Sequence, residues 1–202
     1  MRLRELTEHP LGVTWVVDDA LLRASHALVD EGRVWLVDPV DAPEAMERAA
    51  ALGEPAGVLQ LFVAHPRDGA EIATRLKVPF HILPHVLPDS PFSVLDLDVG
   101  PWKERALWWP ERRGLIVAES VGTATHYALG PGPAGVHFMR RPIPPKRLKP
   151  FLPEHLLVGH GGPVHGGNAA AALLDALHRS RRDLPKFIWK GPGLLRGMQD
   201  RR

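Results

Sequence analysis

The chain has 202 residues, 45% of them apolar and 24% charged, with a formal net charge of +2. That is the composition of an ordinary globular chain of one domain or two small ones. No apolar run approaches the roughly 20 residues of a membrane span, and the N-terminus lacks the basic, apolar and small-residue succession of a secretion signal, so a cytoplasmic chain that avoids membranes is expected. With no cysteine, disulfides, thiolate metal sites and cysteine nucleophiles are excluded, and any metal must rest on histidine, carboxylate and water.

Residues 11–17, 27–30 and 33–37 are β-rich, the last two joined by the Glu31-Gly32 turn of a hairpin. A helix is predicted over 43–52, with Pro43 at an early helical position and Gly53 as its stop. Residues 57–63 read as a buried strand, 64–67 as a loop, and Asp68-Gly-Ala-Glu71 as a capping box opening a second helix with Ile72 and Leu76 on one face. The middle reads as a β-meander of strands at 78–83, 93–98, 105–109 and 114–118. Seven prolines within 131–153 forbid long regular structure there and point to a looping connection. A short strand at 155–159, a glycine-rich loop at 161–167 and a helix at 168–178 capped by Asn168 follow. The result is a mixed α/β layered domain over residues 1–178 and a basic C-terminal extension over 179–202.

That extension holds eight basic and two acidic side chains, so the rest of the chain carries a net −4. A solvated or self-packing terminus accounts for it more simply than nucleic-acid binding, which is the competing use of such a charge run. Its Leu184, Phe187, Ile188 and Trp189 predict packing of 184–189 on the domain or on a second copy, as in a homo-oligomer, with 197–202 mobile. Abundant proline and a total of three Asn and Gln fit a thermophilic source, although a GC-rich genome would equally explain the excess of arginine.

Four segments in order resemble landmarks of the metallo-β-lactamase superfamily. They are Val34-Trp-Leu-Val-Asp-Pro39, the strand–loop–helix at 59–76, the strand pair at 106–120, and Leu156-Leu-Val-Gly-His-Gly-Gly-Pro-Val-His165. The resemblance implies a four-layer αββα sandwich with a site at one sheet edge where these loops converge on a small-molecule ligand. It also implies an H-x-H-x-D-H metal loop, which here reads Ala64-His65-Pro66-Arg67-Asp68-Gly69, with His65 one position out of register. The family's third histidine has no counterpart near 99–101, and its bridging aspartate falls on Ser120 beside Glu119. Only Asp68 and His160 sit where the motif places ligands, so the resemblance is to a degenerate member with an eroded metal site.

The site expected from these residues combines Asp38, His65, Asp68, Ser120, His160 and His165. His65, Asp68 and His160 would hold one zinc-like divalent metal or none, and Glu119 would be the general base. Each residue also has a purely structural reading. Asp68 suits a helix N-cap, Asp38 a turn before proline, His165 a solvent-facing position, and the tryptophans at 102, 108 and 109 core packing. No G-x-S-x-G, P-loop or dinucleotide-binding loop is present. Two functions stay open: a non-catalytic binding module left after ligand loss, and a hydrolase of a small ester, thioester, amide or phosphate using one metal or none.

Overall fold

In the computed structural model, which describes residues 1–186, the first half of the chain forms a six-stranded sheet whose spatial order follows the sequence. Its strands are β1 (Leu3–His9), β2 (Gly12–Val17), β3 (Ala24–Asp30), β4 (Arg33–Val37), β5 (Glu54–Gln60) and β6 (Phe80–Ile82). Strands β1 to β4 pair antiparallel. Helix α1 (Pro43–Ala50) and helix α2 (Gly69–Leu76) then provide crossovers, so β4, β5 and β6 run parallel. The second sheet contains β7 (Ser93–Asp96), β8 (Arg105–Trp109) and β9 (Gly114–Val117). After a small ribbon of β10 (Val121–Gly122) and β11 (Gly135–Val136), that sheet is completed by β12 (His155–Val158), parallel to β9, and by β13 (Val164–His165). Helix α3 (Gly167–Arg179) follows.

Side-chain alternation sorts the residues into layers. Along β4, Trp35 and Val37 enter the core between the sheets, while Val34 and Leu36 pack outward with Ala45, Ala49, Ile72 and Ala73 of α1 and α2. In the second sheet Ile116 and Leu157 face inward, and Leu115, Val117, Leu156 and Val158 meet Ala169, Ala172, Leu173 and Ala176 of α3. Two-residue periodicity on both sheets, each with helices on its outer face, produces an αββα sandwich. Among the described residues no helix is long and apolar enough to cross a membrane.

Three local expectations are corrected, and one strand is added. The segment expected at 78–83 as the start of the meander is β6, on the first sheet: α2 ends at Lys77 in the left-handed conformation, and the chain returns parallel to β5. The strand expected at 57–63 is shifted to β5, because the chain turns at 62–65 to carry His65 inward. Strand β1 was not predicted, since a charged edge strand has little alternation to read. Gly166, not Asn168, precedes α3, and no side chain caps that helix. Arg179, Ser180 and Asp183 are buried and continue the packing beyond residue 178. Of the tail expectation, residues 187–189 and 197–202 lie outside the described residues.

Candidate metal centre

Asp38, His65, Glu119 and His160 follow β4, β5, β9 and β12, at the carboxyl ends of the two parallel strand pairs, where open α/β sheets place their ligands. Asp38 leaves β4 at φ +43°. Its Oδ1 accepts the Leu61 N–H at 2.9 Å and its Oδ2 lies 3.0 Å from His65 Nδ1. Glu119 is set by Glu104, whose Oε1 accepts the backbone N–H groups of Glu119 (2.8 Å) and Ser120 (2.9 Å). The other Glu104 oxygen accepts Trp102 Nε1–H at 2.7 Å and the Ser120 hydroxyl. His160 follows Gly159, where a Cβ would stand 2.0 Å from the Ala118 carbonyl oxygen, so glycine alone allows this close approach of strand ends.

Three donor atoms meet: Glu119 Oε2 lies 2.8 Å from His65 Nε2 and 2.9 Å from His160 Nε2, and the two nitrogens are 3.4 Å apart. All three residues are buried. Their outer atoms are already committed. His160 Nδ1 is 2.9 Å from the Leu21 carbonyl, which can only accept, so Nδ1 carries the proton. An ionised Asp38 imposes the same on His65 Nδ1. Burial works against the charge of Asp38, but the hydrogen bond and charge of His65 and the charge of Arg67 keep its pKa lowered. With Nδ1 committed, each Nε2 faces the Glu119 oxygen, and a cation held among the three atoms, a proton on an Nε2 or a metal ion, accounts for their close approach.

Glu119 itself stays ionised despite burial, because hydrogen bonds and charge from His160 and His65 hold its pKa far down. Its second oxygen accepts the Tyr127 hydroxyl at 2.6 Å and lies 3.4 Å from His137 Nε2. Phe62, Trp102, His137, Tyr127, His160 and His65 form a closed circuit of neighbouring rings around this carboxylate, with successive centroids 4.7 to 5.7 Å apart.

The expected convergence thus holds for His65, Glu119 and His160, with Asp38 behind His65. Glu119, expected as a base, is placed among the donors. Asp68 is corrected: it precedes α2 without a side-chain cap bond, and its Oδ2 accepts the Asp41 N–H at 2.7 Å, apart from the three donors. His165 is corrected too, lying in the β12–β13 hairpin with Nδ1 2.9 Å from His155 Nδ1 and its ring beside His9. Ser120 is fully buried and bound to Glu104. Asp68→Ala should therefore cost about 1 kcal/mol for the lost loop tie and leave the three-donor cluster undisturbed, which urea unfolding would check. Sequence reasoning missed Tyr127, His137 and Glu104. The only signal was the chain's single tyrosine beside a histidine in a stretch without regular structure.

No family model and no curated protein matches the chain. Among solved structures it is similar to the DIM-1 metallo-β-lactamase, at 12% identity and a TM-score of 0.63, over 92% of this chain and 98% of that one. It is similar also to a metallo-β-lactamase from Pontibacter korlensis, at 13% identity and a TM-score of 0.58, over 88% and 99%. A third, from Erythrobacter litoralis, matches at 11% identity and a TM-score of 0.56, over 89% and 95%. At these identities the likeness is one of fold.

Proposed function

We propose that this chain, which has the metallo-β-lactamase fold, is a mononuclear metal-dependent hydrolase in which His65, Glu119 and His160 hold one divalent cation. The observation that carries the reading is the donor triangle of 2.8, 2.9 and 3.4 Å. Bonds of about 2.0 to 2.1 Å to a common ion require donor separations of about 2.9 Å at right angles and about 3.4 Å at tetrahedral angles, so the triangle fits. The donor types fit as well, two imidazoles and a carboxylate being a set used by zinc hydrolases and by non-haem iron sites. Among the described residues the cluster offers three ligands, the count that leaves a position for water. When bound, such an ion supplies a Lewis acid and a hydroxide nucleophile near neutral pH, suited to a small ester, thioester, amide or phosphate.

The protein's own contribution is orientation. Asp38 and the Leu21 carbonyl fix which nitrogen of each histidine is free. Tyr127 occupies the second oxygen of Glu119, leaving Oε2 to the centre, and Glu104 holds the backbone that carries Glu119.

One observation favours the non-catalytic binding module instead. Burial and the charge of Arg67 oppose protonation of His65, yet the hydrogen bonds and charges of Asp38 and Glu119 outweigh them and raise its pKa. A proton on Nε2 would then take the place of the metal. Tag-free protein incubated with zinc, iron(II) or manganese(II) and desalted separates the two. Retention of about one equivalent with a raised melting temperature, lost in His160→Ala and Glu119→Gln, supports the metal reading. An unchanged melting temperature with no retained ion supports the module.

A further inference from the structure

Arg140 is 4% exposed, and its Nε and Nη1 are buried without any hydrogen-bond partner. A buried charged donor left unsatisfied is costly, so such groups call for an explanation. Arg141, next to it in the same turn, shows what a structural arginine here looks like: it donates to the carbonyls of Val136 (3.0 Å), Asp183 (2.8 Å) and Tyr127 (2.9 Å). Arg67 and Arg105 also leave Nε unbonded, but both bond through their terminal nitrogens. Among the described residues Arg140 makes no side-chain hydrogen bond and no ion pair.

The carboxylates whose charges reach it are already occupied. Glu104 is taken by Trp102, Ser120 and two backbone N–H groups. Asp98 is taken by Arg105 (2.7 Å), Lys103 (3.2 Å) and the Glu104 N–H (3.0 Å). Burial, the largest influence, lowers the Arg140 pKa against those two charges, yet the guanidinium remains a cation.

Position gives the orphan a use. Its guanidinium lies over the Trp102 ring, 5.6 Å from the centroid. Trp102 neighbours His137 at 5.0 Å, and His137 Nε2 is 3.4 Å from Glu119 Oε1. One layer of rings therefore separates Arg140 from the donor triangle. The preceding Phe138 and Met139 are 42% and 62% exposed, so the turn that carries Arg140 lies at the surface although the guanidinium itself is covered.

We propose that Arg140, standing on Trp102, is the receptor for an oxyanion of the substrate, a carboxylate or phosphate group set apart from the bond to be cleaved. A guanidinium's planar donors match either group, and stacking on an aromatic face presents them ready-made. Calling the ligand a substrate rests on the hydrolase reading above; the anion site itself does not.

The test uses the full-length chain, stripped of metal so that phosphate cannot bind an ion, with inorganic phosphate, acetate or chloride at equal ionic strength. At ten times the dissociation constant, phosphate or acetate should raise the wild-type melting temperature by about 3 to 6 °C over chloride. A phosphate-only shift identifies a phosphorylated ligand and an acetate-only shift a carboxylate. Arg140→Met should abolish the shift and, with the unpaired charge removed and the ring still covered, melt no lower than wild type in chloride. Arg140→Lys, which keeps the charge and loses the planar donors, should weaken the shift. A wild type without a shift, a shift unchanged in both variants, or an Arg140→Met chain that melts far lower or fails to fold would overturn the proposal. Metal retention measured on remetallated samples separates the readings: an Arg140-dependent shift without retention leaves the anion site and removes the hydrolase, whereas retention without a shift does the reverse.

Discussion

Arg67→Met is expected to lower unfolding free energy by about 1.5 to 3 kcal/mol, the range for losing the hydrogen bonds of a charged donor. The side chain starts from a residue at φ +43° in the loop between β5 and α2. Its Nη1 donates to the Ala24 carbonyl and, at 2.7 Å, to the Asp38 carbonyl, and its Nη2 donates to the Gly159 carbonyl at 3.0 Å. Those carbonyls belong to the start of β3, the end of β4 and the end of β12, so one cation ties the two sheets together beneath the site. Methionine can fill the volume but removes these charged donors, while the Asp38 carbonyl keeps the Ser25 hydroxyl and the Gly159 carbonyl keeps the Ala24 N–H. Removal of the cation's own desolvation cost offsets part of the loss, which is why the sum of three charged hydrogen bonds is not expected in full. Arg67→Lys should recover less than half, because a single ammonium cannot span three separated acceptors. Urea midpoints measure both effects, and a loss below about 1 kcal/mol for Arg67→Met would remove Arg67 from this role.

Such a tie was not legible in the sequence, and the reason separates what was from what was not. The alternation in 34–37, 115–117 and 156–158 could be read because each strand has a different core on each face, so period two survives in the residue types. Strand β6 was assigned to the wrong sheet because three residues carry no information on partners, and its parallel pairing with β5 is set by the α2 crossover. Side chains that satisfy backbone groups across the fold, such as Arg67 and Glu104, leave no periodic trace at all.

The site was legible in part for the same reason. His65, Glu119 and His160 were found because each immediately follows or closely trails a strand that could be predicted. Asp68 was assigned as a ligand from motif position, but the loop turns its carboxylate toward Asp41, and Arg67 rather than Asp68 is directed at the sheet ends. Tyr127 and His137 lie on either side of the glycine- and proline-rich stretch before β11, where order comes from contacts with Glu119 and Trp102 and not from local propensity. The three donors that do meet, His65, Glu119 and His160, are thus a different set from the one the motif positions suggested.

Acid should destabilise the metal-free chain from about pH 6.5 downward, with roughly 4 kcal/mol lost between pH 6.5 and pH 3 from His26 alone. His26 is fully enclosed, its Nδ1 2.8 Å from Thr14 Oγ1 and its Nε2 3.2 Å from the Val158 carbonyl. Burial, then the charges of His9 and Arg67, lower its pKa to about 3 against the opposing Asp38 charge and the Val158 carbonyl. His9, whose Nε2 lies 2.8 Å from the same Thr14 hydroxyl, is lowered to about 4 by burial and by His165 and His155, and adds a smaller share because it is only partly enclosed. In the unfolded chain both titrate near 6.5. Below that value the unfolded state binds protons that the folded state refuses, so stability is complete above pH 6.5 and falls as pH drops toward 4 and 3. His65 has the opposite shift, so its contribution changes only above pH 6.5 and adds no slope below it. Asp38, with its lowered pKa, steepens the loss only near and below pH 4. Urea unfolding at intervals from pH 7 to pH 4 should therefore show a decline that begins near 6.5, and His26→Gln should reduce its slope by about one proton's worth, 1.4 kcal/mol per pH unit. An identical slope in that variant would mean that His26 is protonated in the folded protein and that the Thr14–His26 contact carries a charge.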